Sequence, residues 1–239
     1  MADKHEEIRK FLENMPDTFS ILEEGIDEQT QKEYLDYSHS FETGELTDEE
    51  TNQVSGILFS AKSPQEAKKK ALTILAHAGT VTAFRQIEKY YKNADNNLKP
   101  WAALALQECR MFLETSLTGE SAGFISGGLG GVKDKMRYYI LVMPTGDKPF
   151  TPTQQTVIEN EFNLVAKDLN CVVETVYPSG SYTGLTALVP LDVAVGTFIE
   201  TGIEQCNELG GFVFEYYYVT NMDIPDEEEI DEIIKKVRE

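Results

Sequence analysis

The sequence predicts an α+β protein in two parts, helical before residue 118 and alternating between strand and helix after residue 136. Three observations carry this. Helix-start signals and a 3.6-residue apolar period recur from Thr47 to Leu106. Apolar runs of strand length begin at Tyr138 and alternate with helical patterns to the end. Between them, residues 127–131 place four glycines in five positions, which suits a bend or joint. The expected division is a helical module over residues 1–117, a glycine-rich hinge over 118–136, and a second domain over 137–239. As a phosphate cradle the hinge fails: Gly128, Gly130 and Lys133 fit neither the dinucleotide fingerprint nor the phosphate loop, and the segment precedes a strand.

Composition bounds the rest. The 239 residues are 41% apolar and 26% charged, enough for two modest cores. No apolar stretch reaches bilayer length, and the opening Met-Ala-Asp-Lys-His-Glu-Glu is acidic without a signal-peptide core, so a cytoplasmic location away from membranes is expected. Cys109, Cys171 and Cys206 are scattered and odd in number, the pattern of reduced core thiols. Against 21 basic side chains stand 41 acidic ones, a net charge of -20, which argues against nucleic acid as a partner. Residues 1–62 carry 5 basic and 16 acidic groups, residues 63–117 carry 8 and 5, and residues 118–239 carry 8 and 20. Only the middle is basic.

In chain order, His5 to Met15 sets Ile8, Phe11, Leu12 and Met15 at helical spacing, and Pro16 ends that helix. A second helix is expected near Gln29–Ser40. Thr47-Asp-Glu-Glu50 is a capping box, and Ser63-Pro-Gln-Glu66 repeats it with proline at the first helical position. From there one helix runs through Ala67–Leu75 to Gly79, and another from Val81 to Lys92. Lys99-Pro-Trp-Ala-Ala-Leu-Ala-Leu106 then echoes the first of these at an offset of 31, matching Lys68 with Lys99, Ala71 with Ala102 and Leu75 with Leu106. Residues 63–115 resemble a HEAT-type helical repeat, and the resemblance implies a surface for protein partners without chemistry of its own.

Past the glycines, Tyr138–Met143 reads as a strand, and Thr151-Pro-Thr-Gln154 caps a helix carrying Ile158, Phe162, Val165 and Leu169 on one face. Cys171–Tyr177 and Leu185–Val189 are strands, a helix runs from a cap at Asp192 to Gly210, and Phe212–Val219 closes the set. The order βαββαβ is the ferredoxin-like plan, with both helices on one face of an antiparallel sheet. A last helix from Pro225 places acids at its positive end and Lys235, Lys236 and Arg238 at its negative end.

Catalytic and metal patterns are absent from the sequence. His5, His39 and His77 are isolated, His77 reading as a helix-end cap. Ser126, Ser179 and Ser181 lie in glycine-bearing loops but form no nucleophile elbow, and the acids from Asp223 to Glu229 lack calcium-loop spacing. No cofactor and no metal site are expected. Arg85, Lys89 and Lys92 fall at i, i+4 and i+7 and form a candidate stripe for an acidic protein partner, through an acidic peptide or a phosphate group on it, unless the acids of Glu45–Glu50 or water neutralise it. On the sheet, alternation places Tyr139, Leu141 and Tyr217 on the face opposite the two helices, too apolar to stay bare, so a partner, a second copy of the chain or the N-terminal helices should cover it. The expected function is that of a non-enzymatic adaptor; small-molecule sensing by the ferredoxin-like domain, with a ligand at a sheet edge or in the Pro178–Gly184 loop, is the alternative, and an enzyme binding an anion at the glycines comes third.

Overall fold

The computed structural model describes residues 18–40, 46–146, 148–179 and 181–238, so the helix expected over His5–Met15 lies outside the described residues. Two compact units divide them. One takes the chain up to Leu22 and Glu28–Ser126; the other takes Glu23–Asp27 and Gly127 onward.

In the first unit, strand β1 (Thr18–Ile21) pairs in parallel with β2 (Ala122–Ile125), Thr18 opposite Ala122 and Ile21 opposite Ile125. A parallel pair needs a crossover, and five helices supply it: α1 (Glu28–Ser38), α2 (Asp48–Phe59), α3 (Gln65–Ala78), α4 (Val81–Tyr91) and α5 (Lys99–Thr118). Thr47 caps α2 as its sequence requires: the Glu50 amide donates to its hydroxyl at 3.3 Å, and its own amide donates to the Glu50 carboxylate at 2.9 Å. Ser63 does not cap α3. Pro64 takes the cap position without a side-chain bond, its extended backbone leading directly into the helix. At the other end Gly79 stops α3 at φ +55, the left-handed turn that glycine adopts at low cost. Leu72 and Leu75 of α3, Ile87 of α4 and Trp101 of α5 are buried, and Ala71, Ala76, Ala102 and Ala105 keep the helix faces small enough for close packing. Each fully buried leucine contributes about 1.5–3 kcal/mol.

The second unit is a sheet with helices on both faces. Strand β4 (Lys135–Val142) is central: it pairs antiparallel with β6 (Thr183–Pro190) on one side, and with the short β3 (Gly131–Val132) and β7 (Tyr218–Thr220) on the other. Beyond β6 lies β5 (Val172–Pro178), also antiparallel. Helices α6 (Pro152–Asp168) and α7 (Val195–Glu208) cover one face, where Ile158, Phe162, Phe198 and Ile203 pack on Ile140, Val142, Leu185 and Ala187. Thr151 caps α6 through the predicted box, but Ala194, not Asp192, stands at the start of α7 and makes no side-chain cap. The last strand is shorter than Phe212–Val219: only Tyr218–Thr220 runs along β4, with Val213 bridging to Pro144. The mixed helix and sheet content places the chain in the α+β class.

Two irregularities decide which way side chains face. A bulge between Val173 and Thr175 lets both Val173 and Val176 reach the α6–α7 core, which strict alternation forbids. The break before β7 does the same to Phe214, Tyr216 and Tyr217. Phe214 packs on the far face, Tyr216 is exposed, and Tyr217 joins the α6–α7 core. The far face is also closed: helix α8 (Glu227–Arg238) lays Ile230, Ile234 and Val237 over Tyr139, Leu141 and Met143.

Within residues 118–136, residues 122–125 form β2, and residues 127–131 pack inside the second unit. A Cβ on Gly128 would meet the Met222 carbonyl oxygen at 1.7 Å, and at Gly130, φ +67, one would meet the Glu23 carbonyl oxygen at 2.2 Å. Amides there donate to backbone oxygens, Leu129 to Asn221 at 2.9 Å and Gly131 to Glu23 at 3.2 Å. These glycines permit a close crossing of backbones.

Candidate anion-binding cleft

The six residues proposed from sequence do not converge. In the first unit Arg85 and Lys92 both pair with Glu88 on their own helix, at 3.1 and 3.3 Å, and Lys89 lies 5.1 Å over the ring of Phe59. The Arg85 guanidinium, with Lys92, holds the Glu88 carboxyl below its usual range. In the second unit Tyr139 and Leu141 are 2% and 0% exposed beneath α8, so no second copy can dock on them. Tyr217 faces α7 and donates to Glu200 at 3.1 Å.

Sequence reasoning missed one polar cluster. Tyr34 and Ser38 donate to the two oxygens of Glu108, at 2.5 and 2.9 Å, and His77 Nε2 lies 2.7 Å from Ser38 Oγ. Because the Ser38 proton is committed to Glu108, His77 Nε2 is the donor in that contact. The residue types are those of a hydrolytic triad, but the geometry is not. The same imidazole nitrogen faces both serine and, at 3.4 Å, the carboxylate, and Ser38 is 1% exposed. Next to it, burial pushes the Cys109 thiol up to about 12, far from a nucleophile's range. The cluster ties α1, α3 and α5 together, and His77 belongs to it instead of capping α3. Sequence carries no signal for it, since Ser38, His77 and Glu108 are distant in the chain.

Three clefts of the second unit differ in charge. One is lined by Glu200, Glu204, Glu208 and Glu215, and another by Asp223, Glu229 and Glu232 with Lys236. The third, of about 440 Å³, is lined among the described residues by Lys148, Lys235 and Arg238 and by one acid, Asp231. Its walls come from three places: the loop after β4 (Pro144, Gly146, Lys148, Pro149), Ser181 before β6, and α8 (Asp231, Ile234, Lys235, Arg238). Arg238 donates to the Pro144 carbonyl at 3.1 Å and to that of Gly146 at 3.4 Å, which fixes the end of α8 to the loop. Neither Lys148 nor Lys235 forms an ion pair among the described residues. Its described residues offer cationic groups and a hydroxyl, which suit a compact anion.

No family model and no curated protein matches the chain. Among solved structures, a REP-associated tyrosine transposase bound to a REP hairpin is similar at 9% identity and a TM-score of 0.33, over 45% of this chain and 66% of that one, less than two thirds of its length. A protein of Deinococcus radiodurans R1 assigned as a transposase is similar at 10% identity and a TM-score of 0.34, over 44% of this chain and 89% of that one. At these values the likenesses assign this chain no activity. They do overturn the expectations of a non-enzymatic adaptor with a protein partner and no nucleic acid, since the matched proteins are transposases and one is bound to a hairpin. Net charge averages over the whole chain, whereas three cations line one recess among the described residues. No helix among the described residues is long and apolar enough to cross a membrane.

Proposed function

We propose that the second unit binds a phosphate-bearing ligand in the cleft lined by Lys148, Ser181, Lys235 and Arg238. The observation that carries this reading is a recess whose described residues are three cations and one acid, in a chain of net charge -20. At physiological salt, charges beyond about 8 Å are screened, so the ligand responds to the cleft and little to the distant acids. With exposed cations each contributing about 0.2–1 kcal/mol, affinity for a small anion is weak. We also read the second unit as a ferredoxin-like domain, for which the strand order β7-β4-β6-β5 is the support, and α3 to α5 as a HEAT-like unit, supported by the echo between α3 and α5.

The phosphate has two sources, a free phosphorylated metabolite or a nucleic acid. Calorimetric titration with inorganic pyrophosphate, and separately with a DNA hairpin, distinguishes them. Pyrophosphate binding that is lost in Lys148→Glu/Lys235→Glu supports the site and a small ligand. Hairpin binding much tighter than pyrophosphate, weakening steeply with salt, assigns it to nucleic acid. Heat from neither, or equal binding by the double variant, overturns the reading.

A further inference from the structure

We infer that the first unit carries a nucleotide-binding platform, on which a base stacks against Phe59 and the attached phosphate is held by Lys68 and Lys89. It shares no residue with the cleft of the second unit. Three helices supply it. The Thr82 hydroxyl donates to Asp48 at 2.9 Å, which sets the starts of α2 and α4 side by side, and at the other end of the two helices Phe59 meets Lys89 and Tyr90. Phe59 is 45% exposed, yet its ring is held edge to face on that of Tyr90, 6.1 Å away at 76°. The Lys89 ammonium lies 5.1 Å from the Phe59 centroid, and that of Lys68, on α3, lies 5.7 Å from the Tyr90 centroid. Beside them the Tyr90 hydroxyl is buried without a hydrogen-bond partner, a costly state for a polar group. Burial and, after it, Asp95 raise the pKa of Tyr90, so the hydroxyl stays a donor.

Charge around the ring pair is sorted. Lys69 pairs with Glu66 at 3.6 Å, and Arg85 and Lys92 share Glu88, so the acids on these helices are taken by other cations. Lys68 and Lys89 form no ion pair among the described residues and rest on aromatic rings instead. In a chain with 41 acids against 21 bases, two lysines that share one aromatic pair and lack a carboxylate are open to an anion from outside. Their ring contacts are also replaceable. An exposed cation–π contact is weak, whereas a base stacked on an aromatic side chain is a main source of affinity in sites that bind single strands. A base that takes the face of Phe59 displaces only the Lys89 ammonium, which swings on its flexible stem to the phosphate. Bare phosphate gains the charges but not the ring. The site therefore selects a phosphate that carries a planar base.

The test is NMR titration of the full chain with adenosine monophosphate, inorganic phosphate and an oligothymidylate of about ten residues. All are measured in Lys148→Glu/Lys235→Glu, so that the cleft of the second unit contributes nothing and its fate is decided separately. Adenosine monophosphate should bind at least about fivefold more tightly than inorganic phosphate. Adding Phe59→Ala should remove that advantage, and Phe59→Trp should keep it. Lys68→Gln/Lys89→Gln, which leaves the ring in place, should weaken the mononucleotide and phosphate alike. An oligothymidylate at least about tenfold tighter than the mononucleotide, and weakening steeply with salt, assigns the platform to a single strand, while comparable affinities assign it to a free nucleotide. Binding of neither, a mononucleotide no tighter than phosphate, or binding that Phe59→Ala leaves unchanged overturns the platform.

Discussion

Buried thiols of both units are held neutral by their surroundings. Burial pushes the Cys109 and Cys206 thiols from 9.0 up to about 12, with nearby Glu108 and Glu161 acting in the same direction. Unfolded, these thiols ionise near 9, whereas folded they stay protonated. The unfolded state then binds fewer protons, so stability present below pH 9 is lost as pH rises toward 12. We expect the guanidinium midpoint to fall over that range, each thiol adding up to about 1.4 kcal/mol per pH unit. In Cys109→Ala/Cys206→Ala the decline should be visibly shallower, and an identical slope would show that these thiols already meet water in the native state. The polar cluster of Tyr34, Ser38, His77 and Glu108 was illegible in sequence for a simple reason: Ser38 lies 39 residues from His77 and 70 from Glu108.

Among the elements, the crossing at residues 127–131 makes the sharpest claim. Two glycines separate packing from conformation. Gly119 ends α5 at φ +75 with open space around its Cβ position, while at Gly128 a Cβ would strike the Met222 backbone. Gly119→Ala should cost about 1 kcal/mol, the strain of a left-handed turn. Gly128→Ala should cost several times more, about 3 kcal/mol or above, since backbone cannot move aside as a side chain does. Equal melting temperatures for the two variants would show that the crossing is loose. The same packing predicts that trypsin spares Lys133 and Lys135 in the native protein, against the open hinge expected from glycine content.

For the whole molecule, the uneven charge matters most. With 41 acids against 21 bases, self-repulsion opposes the compact state, strongly at low salt, where the screening length is about 30 Å at 0.01 M. Raising sodium chloride from 0.01 to 0.3 M should therefore raise the melting temperature, by about 2–4 °C for each kcal/mol of repulsion removed. A flat or falling curve would mean that local pairs such as Arg137–Glu174 outweigh the net field.

What the sequence determined by itself was local. The starts of α2 and α6 follow from Thr47 and Thr151 with their partners three residues on, and the end of α3 follows from Gly79, because caps involve only neighbours in the chain. Strands β4, β5 and β6 and the helices among them were legible for the same reason, their apolar periods lying within each segment. Tertiary structure alone decided the faces and the site. One bulge near Glu174 and one break before Tyr218 shift side-chain parity, and no periodicity announces them. Helix α8 covers Tyr139 and Leu141 because its apolar stripe finds that surface, a match between segments about 90 residues apart. The cleft exists only where that helix meets the loops after β4 and before β6, so its cations, scattered in sequence, gain their meaning from the fold.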